Sequence, residues 1–154
     1  MDFPFPTAIL SGDMMAAVHF DPDSDPNPVL EIDREWWVRA RWFVNGSFAP
    51  YLGGTWHVQV IVESMGTGDE KTVATENYPV TAVDNIPTIT EPLEYSKWIH
   101  IPSHLTEPDP NKSIQNEGVY KLVLILTYRT PSNLVGRIAG FVEGPLVQFY
   151  HFQV

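Results

Sequence analysis

At 154 residues the chain has the length of one domain, and with 44% apolar and 18% charged residues it is excluded from general disorder. Fourteen prolines and ten glycines fall between apolar runs, which argues against a helical protein and for many short strands joined by turns. Nine basic against nineteen acidic residues give a formal charge of −10, which repels phosphate backbones and excludes nucleic acid as a natural partner.

There is no cysteine, which points to a reducing compartment. Met1 to Pro6 has neither the basic nor the apolar region of a signal peptide. No apolar run approaches the roughly 20 residues that span a bilayer. The expectation is a soluble, cytoplasmic domain with no membrane partner, secreted only where a leader has been removed.

Taken in order, residues 1–12 read as an extended arm in which Pro4 and Pro6 prevent helix, and the whole of 1–154 as one domain. Met14 to Phe20 alternates as a first strand. An acidic, proline-stiffened loop follows from Asp21 to Pro28, and pairing resumes over Val29 to Ile32. Glu35 to Val44 is a strong strand: Trp36, Val38, Ala40, Trp42 and Val44 share one face, and Trp37, Arg39, Arg41 and Phe43 the other.

Asn45-Gly46 signals a turn. Trp56, Val58, Val60 and Val62 then alternate with His57, Gln59, Ile61 and Glu63. Lys71 to Val80 is more polar and suits a sheet edge. Residues 84–93 read as a loop or a switch between sheets, Tyr95 to Ile101 as a strand, and Pro102 to Asn116 as a long crossing that offers an adjustable contact loop.

The chain is organised around Asn116 to Tyr128, where Tyr120, Leu122, Leu124, Leu126 and Tyr128 form the inward face of a central strand. Ile138 to Val142 and Leu146 to Gln153 close the domain as strand pieces split by a bulge at Gly144-Pro145. Seven to nine strands mean a sandwich or a barrel.

Asn116-x-Gly118-x-Tyr120-x-Leu122 resembles the Asp-x-Gly-x-Tyr-x-Cys signature of immunoglobulin-like domains, and a fibronectin type III-like sandwich fits most of the same pattern. The resemblance implies an all-β, antiparallel sandwich in which Tyr120 turns its hydroxyl back to the corner and Leu122 stands at the cysteine site. Trp56 is the favoured core tryptophan, ahead of Trp36 and Trp42. The resemblance implies no activity, because this architecture hosts many.

Three groups of residues carry chemistry. Asp21, Asp23, Asp25 and Asn27 alternate as the first half of a calcium loop does, although Pro26 stands at the glycine position and Ile32 at the bidentate one; calcium is the one cofactor this suggests. Trp37, Arg39, Arg41 and Phe43 are the residue types that dominate interfaces, so that face is expected to meet a protein, a second copy included. With His57, Gln59 and Ile61 on one side and Lys121, Val123 and Ile125 on the other, it would extend into a single apolar and cationic surface. The histidines are dispersed: Pro102 breaks the helical spacing of His100 and His104, while His57 and His151 could meet across a sheet.

Asp33 and Glu35 could face one way as acid–base partners do, but no activated serine motif and no thiol accompany them. The expectation is a non-catalytic protein-binding or assembly module acting through a sheet face or edge. Its rival is a carbohydrate-binding or hydrolytic sandwich, decided by where the five tryptophans point.

Overall fold

The computed structural model describes residues 11–46, 52–66, 70–84 and 93–152. Among them lie eight strands and no helix: β1 (Ser11–His19), β2 (Val29–Glu31), β3 (Trp36–Asn45), β4 (Thr55–Ser64), β5 (Glu70–Pro79), β6 (Leu93–Ile101), β7 (Gly118–Arg129) and β8 (Val135–Tyr150). They form a three-stranded sheet, β1-β3-β6, and a five-stranded sheet, β2-β8-β7-β4-β5. The fold is an all-β sandwich.

Alternation in the sequence sets which residues face inward. β3 buries Trp36, Val38, Ala40, Trp42 and Val44 and leaves the intervening side chains partly exposed. From the other sheet β7 presents Tyr120, Leu122, Leu124, Leu126 and Tyr128, and β4 presents Trp56, Val58, Val60 and Val62. At the centre, Trp42 stacks on Tyr95 at 5.2 Å between ring centroids and meets Trp56 edge-on at 6.4 Å. Trp56 and Leu122 are fully buried, but Trp42 and Trp36 are core residues as well.

Three inward tyrosines tie the sheets to the connections around them. The Tyr120 hydroxyl donates to the Asn116 carbonyl at 2.8 Å, Tyr95 to Val80 and Tyr128 to Gly53. Beside the last contact, Gly54 holds φ of 100°, and a Cβ there would collide with the Arg129 carbonyl.

The chain changes sheet between β5 and β6, as the proline-rich stretch between them suggested, and β5 is the far edge of its sheet. Several expectations are corrected. β1 begins at Ser11, so the last two positions of the presumed arm already pair with Asn45 and Val44; the rest of that arm lies outside the described residues. β8 is one strand rather than two pieces. It runs through a cis Gly144-Pro145 bond, and the register shift opposite Leu122 is the expected bulge. One pairing is parallel: β2 lies alongside Gln148–Tyr150 of β8.

The 102–116 crossing is tied down. Fully buried Ser113 donates to the Glu107 carbonyl at 2.6 Å, its own carbonyl accepts from Lys71, and Ile114 joins the core.

Candidate functional site

The outer face of the three-stranded sheet is a grid set by register. Ala17, Arg39 and Trp98 form one row across β1, β3 and β6. His19, Trp37 and His100 form the next on one side; Met15, Arg41 and Ser96, then Asp13, Phe43 and Glu94, follow on the other. Trp37, Arg39, Arg41 and Phe43 therefore do share a half-exposed face, as alternation predicted.

Each arginine is held. Arg39 Nε donates to Ser96 Oγ at 3.1 Å, and its guanidinium carbon lies 5.5 Å from the centroid of Trp98. Arg41 forms an ion pair with Glu94 at 2.7 Å and lies 5.6 Å from Phe43, while its Nε is buried without a hydrogen-bond partner.

The acidic loop turns back over this face. Asn27 N bonds the Val18 carbonyl, and the buried His19 ring bonds the Ser24 carbonyl through Nδ1 while meeting Trp98 edge-on at 4.7 Å. Loop and sheet enclose a hollow of about 430 Å³ lined by Met15, His19, Asp25, Arg39, Arg41 and Trp98, among others. Two groups singled out separately in the sequence thus meet at one place.

The loop's own carboxylates do not gather. Asp21 Oδ1 accepts from the Asp23 backbone N–H, and Asn27 Oδ1 from that of Val29. Among the described residues no group of three or more acidic or histidine side chains is arranged to hold a metal.

A second constellation escaped the sequence reading. His104 Nε2 lies 2.7 Å from Asp33 Oδ1, and His151 Nδ1 lies 3.6 Å from Asp33 Oδ2. Beside them His100 Nε2 lies 2.6 Å from Glu35 Oε2. The His104 hydrogen bond, aided by the charge of His151, lowers the Asp33 carboxyl below its ordinary pKa of 3.8. Asp33 and Glu35 are thus each occupied by a histidine rather than by one another. His57 does not approach His151; it bonds Asn77 at the far end of β4.

The single surface joining Trp37 and Arg39 to His57 and Lys121 does not form. β3 belongs to one sheet and β4 and β7 to the other, so the two outward rows lie on opposite sides of the sandwich. Alternation assigns a face to each residue but no sheet to a strand.

On the five-stranded side the outward row of β8 is Ala139, Phe141, Glu143 and Leu146, with Phe141 57% and Leu146 51% exposed. Leu134, Val135, Tyr150 and Phe152 prolong this apolar line. Among the described residues the outer edge of β8 is paired only at its end, by β2.

Of the five tryptophans, Trp36, Trp42 and Trp56 are core. Trp37 and Trp98 are diagonal neighbours on the outer face of the three-stranded sheet. Wider hollows lie near Tyr120 and Lys71, about 850 Å³, and along β5, about 490 Å³, the latter lined by Glu70, Glu107 and Lys112 among others.

Neither a protein-family model nor a curated protein matches the chain. Solved structures similar to it include a β-glucosidase from Listeria innocua in complex with isofagomine, at TM-score 0.47 and 12% identity over 93% of this chain. The same enzyme in complex with glucose gives 0.46 and 11%. The chain spans about 17% of that enzyme's length. A likeness of this size assigns neither activity nor substrate.

Proposed function

We propose that this chain is a non-catalytic assembly module of immunoglobulin-like kinship that associates with a second copy through the free edge of β8. The observation that carries the reading is that, among the described residues, no strand pairs with the outer edge of β8 from Val135 to Glu143, beside the exposed apolar side chains of Phe141 and Leu146. A bare strand edge offers its N–H and C=O groups to another strand, and natural sandwiches usually blunt it with charge, proline or a covering segment. Here the bulge and Pro145 blunt only one end.

Pairing two copies of β8 antiparallel about a twofold at Gly140 is self-complementary. Ala139 then falls opposite Phe141 of the second copy, and Phe141 opposite its Ala139. The Tyr120 bond to Asn116 and the core positions of Trp56 and Leu122 support the immunoglobulin-like kinship.

Light scattering over a dilution series tests the reading. The expected result is a dimer at about 10 μM that dissociates on dilution, since a short edge contact supports micromolar affinity. Phe141→Lys and, separately, Ala139→Pro should each give a monomer with an unchanged far-ultraviolet spectrum. A wild-type monomer at about 100 μM, or dimers that survive both substitutions, would falsify the edge contact.

A further inference from the structure

The hollow between the 21–27 loop and the three-stranded sheet holds the best-prepared polar groups on the molecule. Two contacts, to Ser96 Oγ and to the Trp98 ring, fix the Arg39 guanidinium and leave both Nη groups without a described partner. Two residues along the same face, roughly 7 Å away by strand geometry, Arg41 keeps a buried Nε unbonded. Trp98 is in turn fixed by the buried His19, which the loop holds through the Ser24 carbonyl. A guanidinium that has already lost its rotamer freedom and still has its fork open is prepared for a planar, two-oxygen acceptor.

We propose that this hollow binds a carboxylate side chain of an acidic peptide segment from a partner protein, with Arg39 as the bidentate donor, Arg41 as the second charge and Trp98 as the wall. Met15, Trp37 and Phe43 flank the hollow as partly exposed apolar surface, which suits the residues on either side of the inserted side chain. A sugar fits less well, because stacking needs a bare ring face and Trp98 already meets Arg39 and His19. Asp25 lines the rim and Glu94 already pairs with Arg41, so the site suits one negative charge and opposes the second charge of a phosphate. The inference stands whether or not copies pair through β8.

The test is a titration of the full chain followed by the nuclear magnetic resonance signals of the arginine Nε–H groups and the Trp98 indole N–H. The probes are a glutamate-rich hexapeptide, inorganic phosphate and a cello-oligosaccharide. The expected result is a saturable shift of the Arg39, Arg41 and Trp98 signals with the peptide, at about 1 mM or tighter, and a much weaker response to the other two.

Arg39→Gln should abolish the response, and Asp25→Asn should strengthen it several-fold by removing the opposing charge. Asp25 is exposed, so its substitution leaves the fold intact and keeps the test independent of folding. The absence of a saturable peptide shift overturns the proposal. So does tighter binding of phosphate or sugar, or an Asp25→Asn variant that binds the peptide more weakly.

Discussion

At the residue scale the core aromatic groups are the most consequential side chains. Trp42 is fully buried, stacked on Tyr95 and edge-on to Trp56, yet its indole N–H has no partner. Trp42→Ala should cost about 3–5 kcal/mol in urea unfolding, the range for large aromatic truncations in packed cores. Trp42→Phe should cost clearly less, because it keeps most of the packing and removes an unpaired donor. Equal losses for the two would show that shape at this position outweighs area.

The tyrosines give a second expectation. Burial, reinforced by the charges of Glu76 and Asp84, pushes the Tyr78 hydroxyl up to about 12, and burial also raises Tyr95, Tyr120 and Tyr128. A folded-state value above the ordinary 10.0 stabilises the fold below that pH and loses this contribution as pH rises through the folded value. Phenolate absorbance should therefore rise late, together with unfolding in the interval between about pH 10 and pH 12. A smooth titration near 10 with the fold intact would contradict the burial.

At the element scale, Asp33 links three parts of the chain: it follows β2, His104 follows β6, and His151 follows β8. Because the carboxyl is lowered below 3.8, what it contributes is present above that pH and disappears as pH falls through the folded value. The melting-temperature gap between wild type and Asp33→Asn should be open above the ordinary carboxyl range and close in acid. His104→Gln should remove most of the gap at every pH. A gap that persists at about pH 2 would mean that Asp33 acts by shape rather than charge.

This link also marks where sequence reading stops. The alternation in β3, β4 and β7 was legible, since each strand buries one side and the inward residues declare themselves. The assignment of strands to sheets was not, and so the extended Trp37–Lys121 surface dissolved once β3 and β7 proved to lie in different sheets. β8 read as two pieces because Gly144-Pro145 is a strong breaker signal, which a bulge absorbed. Asp33 and His104 are 71 positions apart, and only the closure of the sandwich brings them together. The two residue groups around the 430 Å³ hollow were each visible in sequence, but their meeting depended on how one loop folds back.

At the scale of the whole molecule, charge and topology divide the labour. A net charge of −10 keeps copies apart in general, so any association must come from a local apolar or hydrogen-bonding contact. The β8 edge and the arginine pair of β3 are two such places, and each faces a different direction. No described helix is long and apolar enough to cross a membrane.

The parallel seating of β2 on the last residues of β8 has a consequence for how the chain is made. A ribosome releases β2 well before β8. Leu30 and Ile32, both buried in the finished domain, therefore wait for β8, more than a hundred positions on, before they can be covered. Until β8 arrives, β7 is itself a bare edge, and the sandwich is open along one side. Synthesis that stalls before β8 should leave β7 paired with β4 alone and its other edge bare, the kind of exposure that chaperones shield.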